Sequence, residues 1–292
     1  MSPEVAPTTG PVSPRFSRTL CARRSDIRDA SGAVIAGARV RVTNEATNIP
    51  VKVVTNANGD YVVTNLPAAQ YSVLGEMTGF RKTLAEHVTL LLNATQRQDV
   101  TLATGAVEQE VTVTADVPVI ASETSSVAST VDSHAVLNLP LDGRTLDSLL
   151  MLTSGNASDS ASNPRLAGNV YWGGNNYSVD GVSYNDTGNG GAAYSYSTRL
   201  TTTPSVDTVQ EIRVENVNAK AENEGSNAIQ MITRAGGNRL HLTLYEYHRD
   251  RALTAKDFFA TSLTKPQFNR NEFGVTLNGP IRKNRTFFSL SY

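Results

Sequence analysis

The side chains best suited to catalysis or metal binding are scattered along this chain. The four histidines lie far apart and lack the short spacings of metal ligands; they are His87, His134, His241 and His248. The one cysteine, Cys21, excludes both an internal disulfide and a cage of cysteine ligands. Asp142 and Asp147 suit a helix cap and a solvated face, and serines such as Ser125 lack a His/Asp constellation. The sequence therefore predicts no enzyme, no metal site and no cofactor.

Composition excludes further classes of protein. The formal net charge of −1 over 292 residues leaves no electrostatic footprint for nucleic acid. The sequence contains no run of about 18 apolar residues, so it predicts no transmembrane helix. Residues 1–20 lack the apolar core of a secretory signal. Because residues 1–25 are polar and interrupted by prolines, we expect them to be disordered.

Residues 26–104 show the pattern of a small β-sandwich. Val40 and Val42 alternate with Arg39 and Arg41, which is the period of a half-buried strand. Similar short strands follow at intervals of roughly 8 to 12 residues, separated by turns such as the one at Gly59.

This region resembles the carboxypeptidase regulatory-like domain, a sandwich of the transthyretin or prealbumin type. The matching pieces are Ser31-Gly32-Ala33, Thr55, Gly59-Asp60-Tyr61, Leu66-Pro67, Tyr71 and Gly79-Phe80. The resemblance implies a structural accessory module, and no peptidase residues are present. The family's first strand would precede Asp29, where this sequence departs from the pattern, so we expect that edge strand to be missing or defective.

Residues 105–133 are predicted to join two domains. Val107–Ala115 has the alternation of a strand, and Val117–Thr130 is predicted to be an extended linker. A domain of α+β type is expected over 134–237. It includes a helix in which Leu146, Leu149 and Leu150 share one face. Strands are expected at Val209–Val217 and Asn227–Thr233, with a hairpin around Asp180-Gly181.

Residues 238–292 alternate between apolar and polar side chains in segments separated by turns, one of them at Gly279–Asn284. Leu240, Leu242 and Leu244 alternate with polar neighbours, and the same period recurs around Phe273 and Phe288. Such segments are typical of membrane β-barrel strands.

In this order, the pieces after residue 208 resemble the Oar-like group of TonB-dependent outer-membrane receptors. The motifs are Val209–Val214, Ala221-Glu222, Thr233–Asn238, Tyr245–Tyr247 with Arg249, Asp257–Phe259, Asn271–Gly274, Gly279-Pro280 and Thr286–Phe288. The resemblance implies a mainly β chain: a sandwich, then an α+β plug domain, then the first strands of an incomplete outer-membrane β-barrel.

The resemblance also implies partners and site residues. The chain would lie in the outer membrane, and its plug would gate uptake of a large nutrient of the siderophore, glycan or peptide class. A TonB-type energy-coupling protein would bind a TonB box, for which Glu110, Val111, Thr112 and Val113 are the candidates. The expected plug-motif residues are Asp180, Gly181, Glu211, Ala221, Glu222 and Thr233.

Several alternatives remain at this level. Residues 107–115 also suit an ordinary first plug strand, and Asp180-Gly181 also suits a simple turn. About three barrel strands are far fewer than the roughly eight of the smallest barrels, which favours an N-terminal fragment of a receptor or of a broken gene. A secreted or surface protein that binds carbohydrate is the other hypothesis, because Trp172 lies among tyrosines suited to stacking on sugars.

Overall fold

The computed structural model describes residues 19–92, 96–105, 110–114, 127–132, 135–136, 149–150, 153–158, 164–166, 175–183, 185–186, 191–192, 204–217, 227–256, 265 and 267–292. It is mainly β. The chain divides into two compact units, Met1–Glu45 with Pro50–Thr233, and Ala46–Ile49 with Arg234–Tyr292. No helix in the described ranges is long and apolar enough to cross a membrane.

The N-terminal part of the first unit is a β-sandwich. Its strands are β1 (Thr19–Asp29), β2 (Arg39–Asn44), β3 (Pro50–Val54), β4 (Asp60–Thr64), β5 (Ala69–Glu76), β6 (Lys82–Leu90), β7 (Val100–Leu102) and β8 (Glu110–Thr114). One sheet has the order β4-β1-β7, and the other has the order β3-β2-β5-β6-β8. Strands that lie side by side in these sheets are therefore not always consecutive in the chain.

Strand β1 corrects two expectations. The first strand is present and lies in the middle of its sheet, antiparallel to β4 and parallel to β7. Residues 19–25, expected to be disordered, belong to it, whereas residues 1–18 lie outside the described part. The sequence pattern concealed this strand because a strand paired on both sides is held by backbone hydrogen bonds, which carry no side-chain signature.

The core of the sandwich follows the predicted alternation. Val40 and Val42 are buried while Arg39 and Arg41 are exposed, which confirms the half-buried strand. Tyr61 of β4 is buried, and its hydroxyl donates a 2.6 Å hydrogen bond to the Gln98 carbonyl. A buried phenol needs such a partner, so this contact ties β4 to the segment before β7.

Two turns of the sandwich depend on particular residues. Asp29 Oδ1 accepts hydrogen bonds from the Ser31 hydroxyl (2.6 Å) and the Ala33 N–H (2.9 Å). The Ser31 hydroxyl, followed by the Ala33 N–H, lowers the pKa of Asp29 below its ordinary value. At the second turn Gly59 has φ of 78°, and a Cβ there would lie 3.0 Å from that of Val34. This turn therefore needs glycine both for its backbone conformation and for space.

The second half of the first unit contains a five-stranded sheet, called here the central sheet, with the order β13-β12-β17-β16-β9. Its strands are β9 (Val127–Val131), β12 (Asn175–Val179), β13 (Val182–Ser183), β16 (Val209–Val217) and β17 (Asn227–Thr233). Two short pairs flank it in sequence: β10 (Asn156–Ser158) with β11 (Pro164–Leu166), and β14 (Asn185–Asp186) with β15 (Gly191–Ala192). A 3-10 helix, Val206–Thr208, leads into β16.

The central sheet confirms some sequence predictions and corrects others. β16 and β17 have the predicted bounds. The linker prediction was wrong for residues 127–130, because they belong to β9 and pair with β16. The domain expected to begin at residue 134 therefore includes an earlier strand. Leu149 and Leu150 are helical and buried against this sheet, whereas Leu146 lies outside the described residues.

The second unit contains an open sheet of three antiparallel strands, β18 (His241–Asp250), β19 (Asn269–Arg282) and β20 (Thr286–Ser291). In the register of the three strands, Leu242 lies opposite Leu277 and Leu277 lies opposite Leu290, so these apolar side chains share a face. Leu242, Leu244 and Phe273 are exposed on it. The predicted alternation is confirmed. The turn predicted at Gly279–Asn284 was placed too early, because β19 continues to Arg282 through a bulge after Pro280.

Thr55→Val should destabilise the sandwich. The buried Thr55 hydroxyl accepts the Ala38 N–H (2.9 Å) and donates to the Ile35 carbonyl (2.8 Å). Valine has the same shape but leaves both backbone groups without this partner, so we expect a loss of about 3 kcal/mol in the free energy of unfolding by urea denaturation.

The matched control for this substitution is Thr64→Val, at an exposed threonine of β4. It should change the free energy of unfolding by less than about 0.5 kcal/mol. Equal losses in the two variants would show that the Thr55 hydroxyl has no special role.

Candidate functional site

Asp180 and Gly181 form the two-residue turn between β12 and β13. Their φ values are 46° and 80°, and the strands pair through Ser178 with Ser183 and Val179 with Val182. Two successive residues of positive φ match the right-handed twist of a tight hairpin, which is why Asp-Gly is favoured here. The predicted hairpin is confirmed.

The turn is tied to the end of β17 by the Asp180 carboxylate. It accepts hydrogen bonds from the Thr233 N–H (2.9 Å) and the Thr233 hydroxyl (2.7 Å). The Asp180 N–H in turn donates to the Met231 carbonyl at 3.0 Å. Two of the residues singled out from sequence, Asp180 and Thr233, thus meet although 53 positions separate them. Their contact extends the β12–β17 pairing beyond the last strand residues.

Strand β16 carries charged side chains into a buried face. Ile212 and Val214 point into the apolar core of the central sheet, so the alternating Glu211, Arg213 and Glu215 face the other way. All three are buried, and Arg213 Nε lies 3.0 Å from Glu215 Oε1. Paired burial of this kind is the condition under which charges are tolerated away from water.

Sequence reasoning found Glu211 but missed Arg213 and Glu215. Alternating charges along a strand usually indicate a solvated face. The one available signal was that the strand carries charges of both signs two residues apart, which allows them to pair on one face.

A junction of five residues joins the sandwich to the central sheet inside the first unit. Glu211 Oε1 accepts the backbone N–H of Leu92 at 2.8 Å, and both residues are buried. Gln210 Nε2 donates to the Ala68 carbonyl at 3.3 Å. Ala68, Leu92 and Ile232 form a small buried apolar cluster beside these bonds. The junction therefore combines a charge-assisted hydrogen bond with dry packing, and it holds the end of the sandwich against β16 and β17.

The candidate TonB box, Glu110–Val113, lies in strand β8 of the sandwich. β8 runs parallel to β6, with Lys82 opposite Glu110 and Glu86 opposite Thr114. Its residues Val111, Thr112 and Val113 pair along the same edge. Among the described strands β8 pairs with β6 alone, so it belongs to a sheet of the sandwich and not to the central sheet.

The remaining predicted site residues, Ala221 and Glu222, lie outside the described residues, as do His134, Asp142, Asp147 and Trp172. Within the described ranges, no group of three or more His, Cys, Asp or Glu side chains could hold a metal ion. The arrangement as described offers polar contacts that hold strands together and an edge strand suited to pairing.

Comparison with known proteins identifies two domains at the ends of this chain. Residues 25–103 match the carboxypeptidase regulatory-like domain, and residues 232–292 match an outer membrane beta barrel domain. The chain is also 25% identical over 260 residues to the TonB-dependent transporter Oar of Myxococcus xanthus. No solved structure matches.

These similarities are distant, and they point to a transporter or receptor family rather than to an enzyme. The aligned region covers 81% of this chain and 23% of the Myxococcus transporter, so the chain spans less than a quarter of that relative. The barrel-domain match supports an outer-membrane context for the C-terminal residues.

Asp180→Ala should loosen the end of β17. It removes both acceptors for Thr233 and places alanine at a positive φ, so we expect a loss of about 2 kcal/mol in unfolding free energy and faster hydrogen exchange at the Thr233 amide. Asp180→Asn keeps a carbonyl acceptor and a residue tolerant of this φ, and should lose less than half as much. Unchanged exchange at Thr233 in the alanine variant would contradict the assigned contact.

Glu211→Ala should weaken the junction. It leaves the buried Leu92 N–H without its carboxylate acceptor, which costs about 2 kcal/mol and exposes that amide to exchange. Glu211→Gln, which keeps an acceptor oxygen, serves as the conservative variant and should protect the Leu92 amide better. The assignment fails if alanine and glutamine give the same exchange rate at Leu92.

Proposed function

We propose that this chain is the N-terminal part of a TonB-dependent outer-membrane receptor, and that the region predicted as the plug, residues 134–237 together with β9, gates uptake of a large nutrient. One observation carries the proposal. The central sheet stands in sequence between a carboxypeptidase regulatory-like domain and an outer membrane beta barrel domain. The Myxococcus relative, named as a TonB-dependent transporter, aligns across most of this chain.

The physical character of the central sheet supports a plug. A plug must keep its own fold while a barrel wall surrounds it, and this sheet has a buried core of its own that includes Val136, Leu149, Tyr177, Ile212 and Ile229. On its charged face, Arg213 pairs with Glu215. A folded unit of this kind can block a lumen and move as a whole. The nutrient belongs to the siderophore, glycan or peptide class.

The energy for such movement would come from a TonB-type protein that binds at Glu110, Val111, Thr112 and Val113. Recognition by strand addition suits this segment, because it is already extended and part of a sheet. Main-chain hydrogen bonds supply the affinity in that mode of binding, and side chains of alternate residues supply the specificity.

A synthetic peptide of Val107–Ala115 should bind the C-terminal domain of TonB from Myxococcus xanthus, with micromolar affinity by isothermal titration calorimetry. The Val113→Pro peptide should bind at least about tenfold more weakly, because proline removes a ladder N–H and clashes with neighbouring backbone. A peptide with the same residues in scrambled order is the control for charge and composition. Absence of heat with the native peptide, or equal affinity of the native and scrambled peptides, would overturn this assignment.

A further inference from the structure

A β-bulge in β16 forms the central-sheet side of the junction. In the β16–β17 register, Val209 lies opposite Thr233. The next pair is Glu211 with Ile232, which leaves Gln210 as the extra residue. Successive residues of a regular strand point to opposite faces, yet the Gln210 and Glu211 side chains both bond to the sandwich. A bulge re-aims a side chain in this way, so two neighbouring residues serve one contact surface.

The sandwich side of the junction lies at one end of the β5–β6 pair. The first residue of β5 pairs with the last residue of β6. Ala68 just before β5 and Leu92 just after β6 therefore lie at the same end. The hydroxyl of the buried Tyr71 donates a 2.7 Å hydrogen bond to the Pro67 carbonyl, which fixes the chain beside Ala68. The groups that bond to β16 are thus positioned by folded strands on both sides.

The junction is small compared with the two parts that it joins. Among the described residues, its apolar cluster has three members, whereas the sandwich core has fifteen and the core of the central sheet has eleven. Its charge-assisted bond joins the Glu211 carboxylate to the Leu92 N–H, and opening returns both groups to water. Opening the junction therefore costs much less than unfolding either part, since both cores are kept.

We propose that the junction is a latch, which holds the sandwich on β16 at rest and opens as a unit while both folded parts stay intact. This inference rests on the proposed function, in which the central sheet belongs to the plug. Release lets the sandwich move without pulling the central sheet apart, and docking returns it to β16. The twelve residues between β8 and β9, 115–126, keep the released end of β8 within about 45 Å of β9.

A permanently fused unit is the alternative to a latch. The two differ in when the buried side chains of the junction meet solvent. In a fused unit these side chains are exposed only when the sandwich or the central sheet unfolds. In a latch they are exposed by a local opening, which uncovers little surface and therefore depends weakly on denaturant.

Thiol labelling of the native chain separates these alternatives. In a Cys21→Ser background of the full chain, Ala68→Cys places a thiol in the junction, and Ala85→Cys places one in the sandwich core as the matched control. Both alanines are buried, so a thiol-reactive maleimide reaches either position only when the structure opens. Labelling is followed by mass spectrometry at several urea concentrations below the unfolding transition, with and without Glu211→Ala. Circular dichroism verifies that each variant is folded.

The latch predicts that the Ala68→Cys thiol is labelled at least about a hundredfold faster than the Ala85→Cys thiol, with a weak dependence on urea. Glu211→Ala should accelerate labelling at Ala68→Cys about tenfold, because it removes the charge-assisted bond, and should change labelling at Ala85→Cys less than about twofold. Glu211→Gln keeps an acceptor oxygen and should give a smaller acceleration.

Equal labelling rates at the two positions would overturn the proposal, because the junction would then open only when the sandwich unfolds. It is overturned as well if Glu211→Ala accelerates both positions equally, or neither. Should Ala68→Cys not fold, hydrogen exchange at the Leu92 amide, compared with the amides of strand β2 in the unaltered chain, makes the same distinction. The assay contains no TonB, so a negative result leaves the proposed function to its own peptide test.

Discussion

The first unit depends on how β16 satisfies charges on a buried face. One side of this strand packs Ile212 and Val214 into an apolar core, and the other side carries Glu211, Arg213 and Glu215. Buried charges are costly unless paired, so each of these side chains imposes a condition on its surroundings. Arg213 and Glu215 meet that condition together, whereas Glu211 meets it with the Leu92 N–H of the sandwich. This hydrogen bond joins the two folded parts.

Strand edges are the second organising feature. In the sandwich, β8 covers one side of β6 and becomes the new edge. In the second unit, three strands form an open sheet with an exposed apolar face. An apolar face of this kind is what a barrel wall presents to lipid, in agreement with the outer membrane beta barrel domain matched at residues 232–292.

The two matched domains frame a region that matches neither, and the structure gives that region a physical character. Residues between 103 and 232 contain most of the central sheet, with a core of its own and a hairpin fixed by Asp180 to Thr233. Distant similarity to a TonB-dependent transporter supplies the biological context. The folded sheet, the Arg213–Glu215 pair and the attachment to the sandwich support the gating role proposed for this region.

Sequence alone determined the features that depend on near neighbours. The bounds of β16 and β17, the Asp180-Gly181 turn and the alternation of the buried Val40 and Val42 with arginines were predictable, because turns and strand faces follow from residues only a few positions apart. Family motifs in the sequence also predicted the order of the three regions. Predictions for Ala221 and Glu222 stay untested, since these residues lie outside the described part of the chain.

Tertiary structure decided which strands lie beside each other. β8 pairs with β6 and not with the central sheet. β9 lies in the expected linker and pairs with β16, and β1 is present where the pattern suggested a missing strand. The burial of Arg213 with Glu215 and the reach of Glu211 to Leu92 were equally hidden. The physical reason is the same in each case. Which strands pair, and which strand faces become buried, is decided by segments many positions away, and side-chain periodicity within one segment carries no information about this.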